Sequence, residues 1–202
     1  MKLGDEFLMS SLFTVAEREL ARLGLNAVSG GSLDVLVGGL GLGYTAVTAL
    51  QDHRVQSLTV VDALAEVIGW HRGGLLPEAA VLNSDARARL VEGDFFALMR
   101  GSAQFDDAVP DRFHAILLDI DHTPRHVLHP SHAGFYTVRG LRQLQRHLEP
   151  DGVFGLWSDD APDADFLAAL DETFLESTAQ VVTFPNPLTR GESTATVYLA
   201  VT

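Results

Sequence analysis

Acidic side chains recur in this chain at the ends of apolar runs. Asp62 follows Leu58-Thr59-Val60-Val61, and Asp94 follows Leu90-Val91-Glu92-Gly93. Asp119 follows Ile116-Leu117-Leu118, with Asp121 and His122 close behind, and Asp159 and Asp160 follow Trp157-Ser158. Upstream of them all, Val35-Leu36-Val37 runs into Gly38, Gly39, Gly41 and Gly43 and then into Tyr44-Thr45-Ala46. Glycines let a backbone approach a ligand where a Cβ would collide. Asp62 lies nineteen residues past Gly43, a spacing at which an acidic side chain accepts hydrogen bonds from both hydroxyls of a ribose. The pattern is that of a nucleoside-cofactor site. Asp94 is placed to accept from an adenine amino group with Phe95 or Phe96 against the ring, or else to cap the next helix. Asp119 would face the reacting centre, where a carboxylate can hold a cationic amine and take its proton. His122 and Asp121 are further candidate bases, the histidine because imidazole titrates near neutrality.

These residues need strands to deliver them and helices to separate the strands. Strands are expected over 34–37, 58–61, 88–92, 113–120 and 152–157. Helices are expected over 44–52, 63–72, 95–100, 135–147 and 164–174. Thr14, with Glu17 three residues on, reads as a capping box opening an earlier helix with Val15, Leu20, Ala21 and Leu23 on its apolar side. Apolar strands with intervening helices indicate a parallel sheet covered on both faces. The last two strand-like runs, 180–184 and 194–201, are too close for a crossover helix and are expected to form an antiparallel hairpin.

With 202 residues, 47% hydrophobic and 20% charged, the chain is expected to be a single globular domain, residues 1–32 forming an N-terminal helical segment and 33–202 the sheet core. The formal charge is −13, Lys2 is the one lysine, and no basic run exists. That argues against nucleic acid as a partner and suits a small cationic one. No apolar run approaches the roughly 20 residues that cross a bilayer, so no membrane partner is expected. The N-terminus lacks the pattern of a secretory leader, and the cytoplasm is the expected location. Without cysteine there are no thiolate metal sites. His122, His126, His129 and His132 crowd one stretch, but Pro124 and Pro130 break any helix there. A polar loop over the site is expected rather than a metal centre.

Residues 35–45, 60–70, 90–96, 117–124 and 135–152 resemble the spermidine synthase family of polyamine aminopropyltransferases, above all its shorter spermidine-synthase-like bacterial members. The resemblance runs over residues 8–200. It implies a class I S-adenosylmethionine-dependent transferase fold, a three-layer doubly wound, mostly parallel seven-stranded sheet ending in an antiparallel hairpin. It also implies decarboxylated S-adenosylmethionine or S-adenosylmethionine as co-substrate, no metal, and often a homodimer. By position, Gly38, Gly39, Gly41 and Gly43 fall on the family's glycine motif, Asp62 on its ribose-binding acid, Asp94 on its adenine-contacting acid and Asp119 on the first Asp of its catalytic Asp-x-x-Asp loop. Two positions depart from the pattern. Gly41 stands where the family has an Asp that contacts the aminopropyl end of the cofactor. His122 stands at the second Asp of the loop, with Asp121 one residue early. Three functions therefore stay open: aminopropyl transfer to an amine, methyl transfer from S-adenosylmethionine, and a catalytically idle binding or dimerisation domain.

Overall fold

The structure, a computed structural model, describes residues 2–3, 6–7 and 12–202. The other residues near the N-terminus, which include part of the stretch read for a leader and the start of the resemblance, lie outside the described residues. The segment expected to be helical begins with a two-stranded antiparallel pair, β1 (Lys2–Leu3) and β2 (Glu6–Phe7), and continues into helix α1 (Val15–Ala27). Then come β3 (Leu33–Gly38), α2 (Tyr44–Leu50), β4 (Val55–Asp62), α3 (Ala65–Arg72), α4 (Ala79–Ser84), β5 (Ala88–Glu92) and α5 (Phe95–Met99). The chain continues through β6 (Phe113–Leu118), a 3-10 turn (Pro130–Tyr136), α6 (Val138–Gln145), β7 (Leu148–Ser158), α7 (Ala164–Thr173), β8 (Glu176–Asn186) and β9 (Gly191–Val201).

The main sheet has seven strands in the order β5-β4-β3-β6-β7-β9-β8. All neighbours from β5 to β7 are parallel, and β9 runs antiparallel between β7 and β8. This is the mostly parallel, doubly wound sheet with a terminal hairpin, a methyltransferase-like Rossmann fold. The strands are apolar on both faces, as burial between two helical layers requires. Val35, Val37, Ala115 and Leu117 point into one core with α1, α2 and α3, while Leu36, Ile116, Leu118 and Phe154 point into the other with α5, α6 and α7. The chain winds outward from β3 in both directions, so β3 and β6 meet at a topological switch point. Their C-terminal ends open a crevice there, the usual ligand position in such sheets.

Several expectations shift. The helix expected over 135–147 is split: a 3-10 turn ends at Tyr136, and Thr137 starts α6 afresh, its side chain accepting from the amide of Gly140. Helix α4 was not foreseen, because six residues present too few periodic positions. Thr14 does occupy the N-cap of α1, but its side chain makes no capping hydrogen bond, and Val15 is 41% exposed instead of facing the core. Among the described residues no helix is long and apolar enough to cross a membrane.

Candidate functional site

The crevice at the switch point holds a cavity of about 490 Å³. Its floor is the glycine turn between β3 and α2. Gly39 has φ 95°, and a Cβ there would come within 2.1 Å of the Asp119 carbonyl oxygen. Only glycine lets the β3 and β6 ends approach so closely. Gly43 caps α2 with φ 93°. Gly39, Gly41 and Gly43 line the cavity. Gly38 does not. It ends β3 against the side chains of Phe95 and Leu118, where a Cβ would have no room, so its smallness serves packing rather than contact with a ligand.

Asp62 lines the cavity and ties two turns together, Oδ2 accepting from the amide of Leu40 at 2.9 Å and Oδ1 from Leu64 at 2.8 Å. A carboxylate has about four lone-pair directions, so acceptor capacity for two hydroxyls remains. Asp94 also lines the cavity and is the N-cap of α5, accepting from the amide of Ala97 at 3.0 Å. Phe95 and Phe96 complete that wall.

Asp119 takes a hydrogen bond from the Thr45 hydroxyl at 2.9 Å, and burial pushes its carboxyl up to about 6. Facing it across the cavity is Glu17 of α1. Burial, and then the Asp119 charge, push Glu17 up to about 8. Arg18, adjacent in sequence, is turned away, with one guanidinium nitrogen 2.9 Å from Glu78 and its plane over the Tyr44 ring. Asp159 is raised too, by burial and partly offset by His122. The acid expected in a capping box is therefore a wall of the cavity. The signal was in the helix period: Glu17 continues the buried stripe of Leu20, Ala21 and Gly24 at the i, i+3, i+4 and i+7 positions.

Of the acids at strand ends, Asp62, Asp94 and Asp119 are brought to one cavity, while Asp121, Asp159 and Asp160 are not among its lining. Asp121 is 1% exposed and surrounded by its own donors, so the structure does not present it to a substrate. Asp119 and Asp121 both lie past the end of β6, where strand alternation no longer holds, so spacing alone does not reveal which of them turns to the cavity. His122, His129 and His132 do line it, with Trp157 opposite; His126 does not. Among the described residues no group of three or more histidine or acidic side chains is placed to hold a metal ion.

No protein-family model and no curated protein matches this chain. Solved structures do. The spermidine synthase of Thermotoga maritima aligns with a TM-score of 0.69 at 17% identity, over 93% of this chain and 59% of that one. A spermidine synthase in complex with the transition-state analogue AdoDATO aligns with a TM-score of 0.69 at 18% identity, again over 93% and 59%. A putative methyltransferase from Thermoplasma acidophilum aligns with a TM-score of 0.56 at 14% identity, over 84% and 68%. The chain thus spans about three fifths of the length of the spermidine synthases it matches. At these identities the likeness is one of fold.

Proposed function

We propose that the chain is a transferase that binds an adenosyl sulfonium co-substrate and passes an aminopropyl group to an amine. The observation that carries this reading is the acidity of the cavity wall: Asp62, Asp94 and Asp119 line it together with Glu17, which ionises only toward pH 8, and among the described residues no lysine or arginine does. Such a wall favours cations and opposes an added carboxylate. Decarboxylated S-adenosylmethionine is cationic at its sulfonium and its amine and carries no carboxylate. On this reading Asp62 holds the ribose, Asp94 the adenine amino group with Phe95 and Phe96 beside the ring, and the glycine turn leaves room for the nucleoside. Asp119 and Glu17 hold the ammonium form of the acceptor. Glu17 does so in place of the second loop Asp, where His122 stands.

A second reading, methyl transfer from intact S-adenosylmethionine, is favoured by Gly41. At that position the resemblance has an Asp facing the aminopropyl end. The products separate the two reactions. Incubation with decarboxylated S-adenosylmethionine and putrescine is expected to release methylthioadenosine, read by mass spectrometry. Release of S-adenosylhomocysteine from intact S-adenosylmethionine, with no methylthioadenosine from the decarboxylated form, would replace the first reading by the second.

A further inference from the structure

Asp121 was read from the sequence as a base, yet it is buried behind the cavity with three kinds of donor on it. The amide of Leu128 donates at 2.7 Å and the Tyr136 hydroxyl at 2.8 Å. Nδ1 of His132 lies 2.9 and 3.2 Å from its two oxygens. An amide can only donate. Burial and then the Asp121 charge push the Tyr136 phenol well above its usual range, so it also stays a donor. A carboxylate held this way accepts from His132 as well, which places the proton of the neutral ring on Nδ1 and the lone pair on Nε2. The ring cannot turn freely, because Phe96 stacks on it with centroids 3.9 Å apart and planes 23° from parallel. His132 lines the cavity with its side chain 16% exposed, while Asp121 is at 0%.

We infer that His132, oriented by Asp121 and Tyr136, is the proton acceptor for the attacking amine. The inference rests on the aminopropyl-transfer reading of the cavity. In the step, the bound ammonium gives one proton to Nε2 of His132, and the freed lone pair attacks the methylene carbon beside the sulfonium. That carbon–sulfur bond breaks, and its electron pair stays on sulfur, leaving a neutral thioether. The new C–N bond forms a secondary ammonium, which leaves in that form, and the proton on Nε2 of His132 passes to water. The buried Asp121 carboxylate lies against the imidazolium while it exists, as in other carboxylate–histidine pairs. The groups against His132 are Asp121, the Phe96 ring and His129, whose ring centroid is 5.8 Å away, and Tyr136 reaches it through Asp121. Asp94, at the start of the helix that carries Phe96, is the nearest acid on that element. Asp119 is then left to hold the amine, and Asp121 and Tyr136 are positioning residues.

Two measurements on the full chain test this. The first is the ring tautomer, from long-range proton–nitrogen spectra of histidine-labelled protein, with the His132 signals identified by their loss in His132→Gln. The Nδ1–H form is expected, and the Nε2–H form overturns the inference. The second is the pH profile of kcat/KM with decarboxylated S-adenosylmethionine and putrescine. His132→Gln is expected to lower it about 100-fold or more and to remove an ionisation from the profile, with methylthioadenosine affinity unchanged. Wild-type turnover and profile in His132→Gln overturn the inference while leaving the aminopropyl-transfer reading intact. Failure of the wild-type protein to bind any of these nucleosides overturns the functional reading itself. Asp121→Asn is expected to shift the tautomer, and if that variant does not fold, His132→Gln, at the cavity margin, still decides the matter.

Discussion

On the β4–β5 side of the cavity each acid is fastened to backbone amides, Asp94 to its own helix start and Asp62 to its own turn and the glycine turn beside it. On the β6–β7 side the acids answer to one another. Asp62 and Asp94 accept from Leu40, Leu64 and Ala97, all within reach of the strand ends that carry them. Asp119 and Glu17 are 102 residues apart in sequence, and each is raised by burial, Glu17 also by the charge of Asp119. The first side is a preformed cradle, suited to a ligand that always has the same shape, such as an adenosine. The second keeps Glu17 protonated through burial and the Asp119 charge, and a bound cation would favour its ionised form, which suits recognition of an amine.

Substitutions on the two sides should separate these roles. The largest effect is expected for Asp119→Asn. Turnover should fall by about 10³-fold, or ~4 kcal/mol in the barrier, while calorimetry shows unchanged nucleoside affinity. Loss of nucleoside affinity instead would merge the two sides into one. Next is Gly39→Ala. At φ 95° with a Cβ 2.1 Å from the Asp119 carbonyl, it should lower stability by about 3 kcal/mol in denaturant unfolding. A neutral result would mean that β3 and β6 need not approach as they do.

Glu17→Gln tests the acceptor side by pH. A carboxyl raised from its ordinary 4.5 to about 8 in the folded protein gives stability that is full below 4.5 and is lost as pH rises through about 8. The glutamine variant should therefore melt higher than wild type above pH 8, with that advantage shrinking to a constant difference below pH 4.5. Putrescine affinity of the wild type should rise with pH over the same window as Glu17 ionises, and the variant should lose that rise. A flat difference in melting temperature would show that neither burial nor the Asp119 charge raises Glu17. The smallest effect is expected for Asp94→Ala. Loss of the cap should lower stability by about 1 kcal/mol, and calorimetry should show weaker methylthioadenosine binding. Stability lost with binding intact would leave Asp94 as a cap alone.

The contrast between the sides also explains what the sequence disclosed. Asp62 and the glycine turn were legible because a strand, a tight turn and a helix start set their relation over a fixed spacing. The continuous apolar runs around Val35 to Val37 and Ala115 to Leu118 likewise revealed the two-faced sheet, and the short gap between residues 180–184 and 194–201 revealed the terminal hairpin. Glu17 was missed because its neighbours across the cavity are set by how α1 lies on α2, which no local pattern records. Thr14 three residues earlier offered a simpler local explanation for it. Asp121 reads as a base because it falls one residue before the second acid of the family's catalytic loop, whereas its direction is fixed by Tyr136 and His132, residues beyond two prolines. The helix expected over 135–147 overran its true start because Phe135 and Tyr136 fit the apolar period that α6 continues.

The most direct measurement is titration calorimetry of the wild-type protein against decarboxylated S-adenosylmethionine, intact S-adenosylmethionine and methylthioadenosine. A cavity walled by Glu17, Asp62, Asp94 and Asp119, with no lysine or arginine among the described residues that line it, should take the decarboxylated form and methylthioadenosine in preference to the intact molecule. Preference for intact S-adenosylmethionine would contradict the account and point to methyl transfer.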